Sequence, residues 1–83
     1  MYFHVYMILA KMNGRYISYV GYTKNLKNRL RLHNSSKGAK FTRGKKWKVI
    51  YSKRYDSKSK AMKNEYLLKK DKKKRDIIKS KFI

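Results

Sequence analysis

Glu65, the only glutamate in this sequence of 83 residues, lies on the apolar face of a predicted helix. At about 100° per residue it falls between Ala61 and Leu68 on one side and Met62 on the other, at the centre of the apolar stripe. A carboxylate that points toward a core costs free energy unless a cation or hydrogen bonds meet it. The cation is either a Lys or Arg side chain, or a hard ion such as Mg²⁺, which often combines one or two carboxylates with water and phosphate.

Arg29 and His33 lie one turn apart on an earlier predicted helix, at the edge of a stripe formed by Leu26 and Leu30. Arginine can grip a phosphate with two donors at once, and a histidine one turn later can accept or deliver a proton. The alternative is an arginine whose stem only covers apolar surface, beside a histidine at a helix end.

Two tyrosines share one face of a predicted hairpin. Asn13-Gly14 indicates a two-residue turn, so the numbers of paired residues sum to 27. Tyr6 then faces Gly21, and the alternation of side chains along strands puts Tyr19 on the same face as Tyr6. The two tyrosines either line a space above Gly21 or only pack against each other.

The elements that must position these side chains follow from the apolar pattern. Residues 2–10, 15–22 and 47–55 are rich in aromatic and β-branched types and predict three strands, the last with Trp47, Val49 and Tyr51 alternating. A helix capped by Thr23 or Asn25 runs to about residue 34, another capped by Asp56 or Ser57 spans about 58–70, and 71–83 is helical around Ile77 and Ile78. The prediction is an α+β fold with one domain over residues 1–83, a small three-stranded antiparallel sheet flanked by helices.

Charge is the dominant feature of the composition. The chain carries 25 Lys or Arg side chains against four acids, a net charge of +21, and residues 1–50 contain no carboxylate. Such a field attracts polyanions, nucleic acid above all. A basic protein that only neutralises phosphates, as ribosomal or nucleoid proteins do, fits the composition equally well.

Several other classes are excluded by the composition. The basic residues spread over the whole chain rather than along one amphipathic helix, and no apolar stretch is long enough to cross a bilayer, so a membrane partner is not expected. The absence of cysteine excludes disulfides and cysteine-based zinc sites. With no signal-peptide pattern, an intracellular location is expected, in the cytoplasm or nucleoid or in a nucleus.

Residues 35–46 are small, basic and glycine-containing, which predicts a mobile loop. Its cations would bind flanking phosphates, and Phe41 together with the adjoining Trp47 would stack on exposed bases. The predicted nucleic-acid-binding residues are Lys37, Lys40, Phe41, Arg43, Lys45, Lys46 and Trp47.

Taken in order, these residues resemble a known family. His4-Val5-Tyr6 and Tyr19-Val20-Gly21 are similar to the two signatures that name the GIY-YIG nucleases. Arg29, His33, the basic loop and Ala61–Glu65 follow in the family's order, and the resemblance covers about residues 2–75. This order resembles that of the small stand-alone members, which are similar to the excision-repair nuclease domain and to structure-specific resolvase-type nucleases.

The resemblance implies roles for individual residues. Tyr6 and Tyr19 line the site, and one or both orient or deprotonate the attacking water. Arg29 binds the scissile phosphate, and His33 assists proton transfer. Glu65 binds a single divalent ion, Mg²⁺ or Mn²⁺. Because a free tyrosine titrates near 10, we expect neighbouring cations to lower the pKa of the phenol.

The implied function is a metal-dependent DNA endonuclease, selective for DNA structure, in repair or recombination. The sequence departs from the first signature, because His4 replaces its glycine and Val5 its isoleucine. Two alternatives stay open: a catalytically inactive basic nucleic-acid-binding module, and an RNA-directed nuclease or binding protein. A homodimer or an accessory protein is also left open.

Overall fold

A three-stranded antiparallel sheet in the order β2-β1-β3 forms the centre of the computed structural model, which describes residues 2–83. Its strands are β1 (Phe3–Met12), β2 (Arg15–Thr23) and β3 (Lys48–Tyr55). The helices are α1 (Leu26–Asn34), α2 (Lys58–Lys70) and α3 (Lys72–Ser80). The predicted α+β class and sheet are therefore confirmed.

The hairpin between β1 and β2 has the predicted register. Asn13 and Gly14 both adopt positive φ, 53° and 77°, which suits the two-residue turn whose twist matches that of its strands. Tyr6 pairs with Gly21, and Ile8 pairs with Tyr19. This local turn alone sets which side chains share a face of the hairpin.

The pairing of β1 with β3 contains a bulge that the sequence pattern did not indicate. Met7 pairs with Tyr51, whereas the next residue of β1 pairs with Val49, which leaves Ile50 as the extra residue. Trp47 and Val49 consequently pack on the Tyr6 face, and Tyr51 packs on the opposite face. The expected alternation of Trp47, Val49 and Tyr51 is wrong at its last member.

Helices cover both faces of the sheet, so the central strand β1 is buried from residue 5 to residue 10. On one face Val5, Met7 and Leu9 pack against Ala61 and Leu68 of α2 and against α3. On the other face Tyr6, Ile8 and Ala10 pack with Trp47 and with Leu26 and Leu30 of α1. Burial on this scale is the main favourable term available to so short a chain.

Side-chain caps decide where the helices begin. Asn25 accepts from the Asn28 backbone N–H at 3.0 Å, and Ser57 accepts from that of Lys60 at 3.2 Å. These residues, and not the alternatives Thr23 and Asp56, therefore occupy the cap positions. Within residues 2–83, no helix is long and apolar enough to cross a membrane.

Candidate functional site

Tyr6 forms the floor of the candidate site. Its side chain is 1% exposed and lies across Gly21 on the neighbouring strand. A Cβ at position 21 would come within 2.5 Å of the Tyr6 hydroxyl, so the missing side chain of glycine is what admits the phenol. Hairpin register and glycine together set the position of this hydroxyl.

His33 bonds directly to that phenol. The Tyr6 hydroxyl lies 2.8 Å from Nε2 of His33, which reaches it from the last turn of α1. The other ring nitrogen, Nδ1, lies 2.8 Å from Oγ1 of Thr42. Both His33 and Thr42 are completely buried, so His33 is a core residue and not the helix-edge side chain that the sequence suggested.

Tyr19 lies on the solvent side of this pair. Its ring centroid is 5.2 Å from that of His33, and it is less buried than Tyr6. On its outer side it stacks with Phe41, at a centroid distance of 6.2 Å and an interplanar angle of 23°. The two predicted phenols therefore meet around one imidazole.

Arg29 and Glu65 complete the group. Burial raises the pKa of the Tyr6 phenol above its ordinary value of 10.0, the neighbouring Arg29 guanidinium opposes this, and the charges of Tyr19 and Glu65 raise it further. The structure therefore places all four predicted groups within electrostatic range of one hydroxyl. Arg29 lowers this pKa in the direction expected of a nearby cation, but burial outweighs it and the net shift is upward.

The His33 imidazole is neutral near pH 7. Burial lowers its pKa from 6.5, and the positive charge of Arg29 lowers it further. A neutral imidazole has one nitrogen with a free lone pair. His33 is therefore able to accept a hydrogen bond from a neighbouring donor.

Glu65 lies at the edge of the apolar face of α2. The buried positions of this helix are Ala61 and Leu68, whereas Met62 is 47% exposed, so Glu65 is not at the centre of the stripe. The Glu65 side chain keeps 18% exposure and forms a 3.4 Å ion pair with Lys69 one turn away. This is a weak pair on the surface of one helix, which leaves the carboxylate able to take another cation.

The donor set fits a hard divalent ion held largely by water and phosphate. Among the described residues, no three His, Cys, Asp or Glu side chains gather into a metal-binding cluster. Glu65 is a single partly exposed carboxylate within electrostatic range of the Tyr6 phenol, and carboxylate oxygens are the donors that Mg²⁺ and Mn²⁺ prefer. One protein carboxylate is sufficient when water and substrate supply the remaining ligands.

The basic loop contains a short 3-10 helix, Lys40–Thr42, and exposes one of its two predicted aromatic residues. Phe41 is 53% exposed, whereas Trp47 is 4% exposed and its Nε1 donates to the Thr42 carbonyl at 3.0 Å. Trp47 is therefore a core residue, and the expectation that it stacks on a base is corrected. Lys45 donates to the carbonyls of Phe41 and Arg43, at 2.9 and 3.3 Å, which ties the loop together. The other predicted cations of the loop are exposed: Lys37, Lys40, Arg43 and Lys46.

Two residues that no sequence pattern indicates, Asn34 and Thr42, hold this arrangement in place. Asn34 accepts from the Trp47 backbone N–H and donates to the Trp47 carbonyl, which fastens the end of α1 to the start of β3. Thr42 contacts His33 as described. A threonine in a basic loop and an asparagine at a helix end have no feature in the sequence that distinguishes them from ordinary loop residues.

A family model described as the GIY-YIG catalytic domain matches residues 2–78. The chain belongs to the GIY-YIG family. In this GIY-YIG chain, His4 stands at the position of the first glycine of the signature, two residues before Tyr6 and on the same face of β1. It pairs there with Thr23 and Arg54 on the two neighbouring strands.

Relatives of this GIY-YIG chain occur among the UPF0213 proteins, whose names state no activity. One from Oceanobacillus iheyensis is 50% identical over 52 residues, which are 61% of this chain and 60% of that protein. One from Staphylococcus haemolyticus is 40% identical over 67 residues, 80% of this chain and 78% of that protein. The chain spans 60–65% of the length of the first curated relatives that it matches.

A solved structure has the same fold. The solution NMR structure of a UPF0213 protein from Bacillus halodurans matches with a TM-score of 0.51 at 35% identity. The match covers 96% of this chain and 84% of that one. The sheet and helices described above are therefore those of small GIY-YIG proteins.

Proposed function

We propose that this protein is a metal-dependent endonuclease that hydrolyses phosphodiester bonds in DNA. The observation that carries the proposal is that the Tyr6 hydroxyl lies within electrostatic range of Arg29, Tyr19 and Glu65, in a chain with a net charge of +21. A module that only binds nucleic acid has no need of a carboxylate within range of a buried phenol, because a carboxylate repels phosphate.

The difficulty of the reaction is that an anionic phosphate repels its nucleophile. Arg29, with its planar fork of donors, would bind the non-bridging oxygens and neutralise their charge. Tyr19, the more exposed phenol, would orient the attacking water. Held by Glu65, one Mg²⁺ or Mn²⁺ ion would offset the carboxylate's effect on Tyr6, polarise the phosphoryl group and stabilise the departing oxygen.

Proton transfer runs through Tyr6. As the water oxygen bonds to phosphorus, its proton passes to the Tyr6 oxygen, and the Tyr6 proton passes to Nε2 of His33. The raised pKa of Tyr6 keeps the phenol protonated between turnovers, so this transfer needs the adjacent neutral imidazole. His33 acts through Tyr6 and is a positioning and proton-holding residue.

The proposed substrate is DNA with unpaired or branched structure. The half-exposed Phe41 ring stacks on Tyr19 and offers a base a flat surface within the site. Flaps and junctions arise in repair and recombination, which is the process that we propose and which places the protein inside the cell. Its net charge attracts DNA and RNA alike, so RNA substrates are the control for this proposal.

The test compares Glu65→Gln with Lys69→Gln in a nicking assay with Mg²⁺ or Mn²⁺. Loss of Glu65 should abolish cutting and leave DNA binding within about twofold, because binding rests on phosphate neutralisation by many cations. Lys69→Gln, which removes only the surface ion pair, should keep cutting. Equal cutting by the wild type and Glu65→Gln would contradict the site assignment.

The charge of the chain favours one other function, a basic nucleic-acid-binding module without catalysis. Binding and cleavage assays on a set of DNA and RNA substrates distinguish the two functions. If the wild type binds single-stranded, duplex, flap and junction DNA tightly but cuts none of them, nor RNA, with either metal, the binding module is the correct assignment.

A further inference from the structure

Thr42 is a buried polar residue that the proposed mechanism does not use. Its exposure is 0%, and its hydroxyl lies between His33 and the backbone of its own loop. Oγ1 is 2.8 Å from Nδ1 of His33 and 2.8 Å from the carbonyl oxygen of Ala39. Among the described residues, every buried side-chain nitrogen or oxygen has a hydrogen-bond partner, so both ring nitrogens of His33 take part in this chain of bonds.

Counting protons determines the state of the imidazole. A hydroxyl has one hydrogen, and a carbonyl oxygen only accepts, so the Thr42 hydrogen is donated to Ala39. Oγ1 can then only accept from His33, which requires the ring proton to be on Nδ1. In a neutral imidazole this leaves a lone pair on Nε2, toward which the Tyr6 O–H points.

We propose that Thr42 is a positioning residue that holds His33 in its Nδ1–H tautomer, so that Nε2 is the atom that takes the proton of Tyr6. The Nε2–H tautomer would instead donate to the Tyr6 oxygen. His33 would then offer no acceptor for the proton of the Tyr6 hydroxyl. The catalytic consequence rests on the proposed function, whereas the tautomer itself does not.

The surroundings hold Thr42 against the ring. A Cβ at Gly38 would meet the His33 ring, so the loop approaches the imidazole as closely as a glycine allows. The Thr42 carbonyl accepts from Nε1 of the buried Trp47 at 3.0 Å, which attaches this turn to the core. The neighbours Lys40, Phe41 and Arg43, proposed to contact DNA, lie on the same turn.

The experiment compares Thr42→Val with Thr42→Ser. Valine keeps the shape of the side chain but removes the hydroxyl oxygen that accepts from Nδ1–H. Serine keeps this hydroxyl oxygen. ¹⁵N chemical shifts of the imidazole report the tautomer without any need for activity. The chain has two histidines, so a His4→Gln background assigns the His33 signals. We expect the Nδ1–H tautomer in the wild type and in Thr42→Ser, and its loss in Thr42→Val.

Cleavage kinetics provide the second readout. Thr42→Val should lower kcat at least about tenfold with KM for DNA unchanged, and Thr42→Ser should restore it, because proton transfer is lost while binding is not. An Nε2–H tautomer in the wild type would overturn the proposal, even if Thr42→Val fails to fold. So would a Thr42→Val protein with unchanged tautomer and kcat. Failure of the wild type to cut would contradict the proposed nuclease function and leave the tautomer measurement to decide on Thr42.

Discussion

The Tyr6 hydroxyl and Nε2 of His33 lie 2.8 Å apart, although 27 residues separate them in the chain. Tyr6 belongs to the central strand and His33 to the last turn of α1, so their bond joins the sheet to the helix that covers it. Both side chains are almost inaccessible to solvent, and a buried hydrogen bond of this kind is costly to leave unmade. The same bond therefore supports the fold and the proposed chemistry.

Removal of the Tyr6 hydroxyl should reduce both the stability of the fold and the proposed cleavage activity. Tyr6→Phe takes away the proposed proton carrier and leaves Nε2 of His33 without a donor. We expect cutting to fall by about 100-fold or more and the free energy of unfolding to fall by about 1–3 kcal/mol. Plasmid nicking and urea unfolding measure the two effects. Tyr16→Phe, at an exposed position of the same hairpin, is the matched control and should change neither.

Acidification should destabilise the protein through His33. Because its pKa is lower in the folded chain than the ordinary 6.5, the unfolded state binds the proton more readily. The contribution to stability is complete above about pH 6.5 and is lost as pH falls through the folded pKa. Urea unfolding at a series of pH values from 7.5 to 5 would measure this loss, and His33→Gln should make the profile flatter. A stability profile as steep in His33→Gln as in the wild type would contradict the assignment of this pH dependence to His33. The control His4→Gln measures the part of the pH dependence that comes from the other histidine.

Adding one methyl group at position 21 should displace the phenol. In Gly21→Ala the new Cβ would lie 2.5 Å from the Tyr6 hydroxyl, and the rigid ring must move away from His33. We expect the free energy of unfolding to fall by about 1–3 kcal/mol. The kcat for DNA cleavage should fall strongly, whereas the affinity for DNA should be retained. Ser18→Ala, which adds no atom to the same strand, serves as the control. Full activity in Gly21→Ala would mean that the phenol is not needed at this position.

Phe41 should govern the preference for unpaired DNA. Phe41→Ala removes the exposed ring next to Tyr19, so affinity for flap or single-stranded DNA should fall by about tenfold or more, while duplex affinity changes little. Phe41→Trp should restore it, since any large aromatic ring can stack. Fluorescence anisotropy with the three substrates measures the difference. A uniform loss across all three would indicate a structural effect of Phe41 instead.

Local interactions made much of this molecule predictable. The turn at Asn13-Gly14 sets the hairpin register within a few residues, so the shared face of Tyr6 and Tyr19 could be worked out by counting. The caps at Asn25 and Ser57 are likewise satisfied within three residues. Register and the tyrosine pair were therefore predictable from the sequence by itself, and the helix starts to within two residues, because the forces that decide them act between neighbours in the chain.

Contacts between distant segments decided the rest. The bulge at Ile50, the burial of Trp47 and the burial of His33 depend on how β3, the basic loop and α1 pack on a shared sheet face. Thr42 acquires a partner only when its loop closes over the imidazole. Packing is settled by shape, and by the requirement that buried polar groups find partners, across the whole molecule. For this reason the sequence alone determined which residue types reach the site, and only the tertiary structure decided which of them bond to one another.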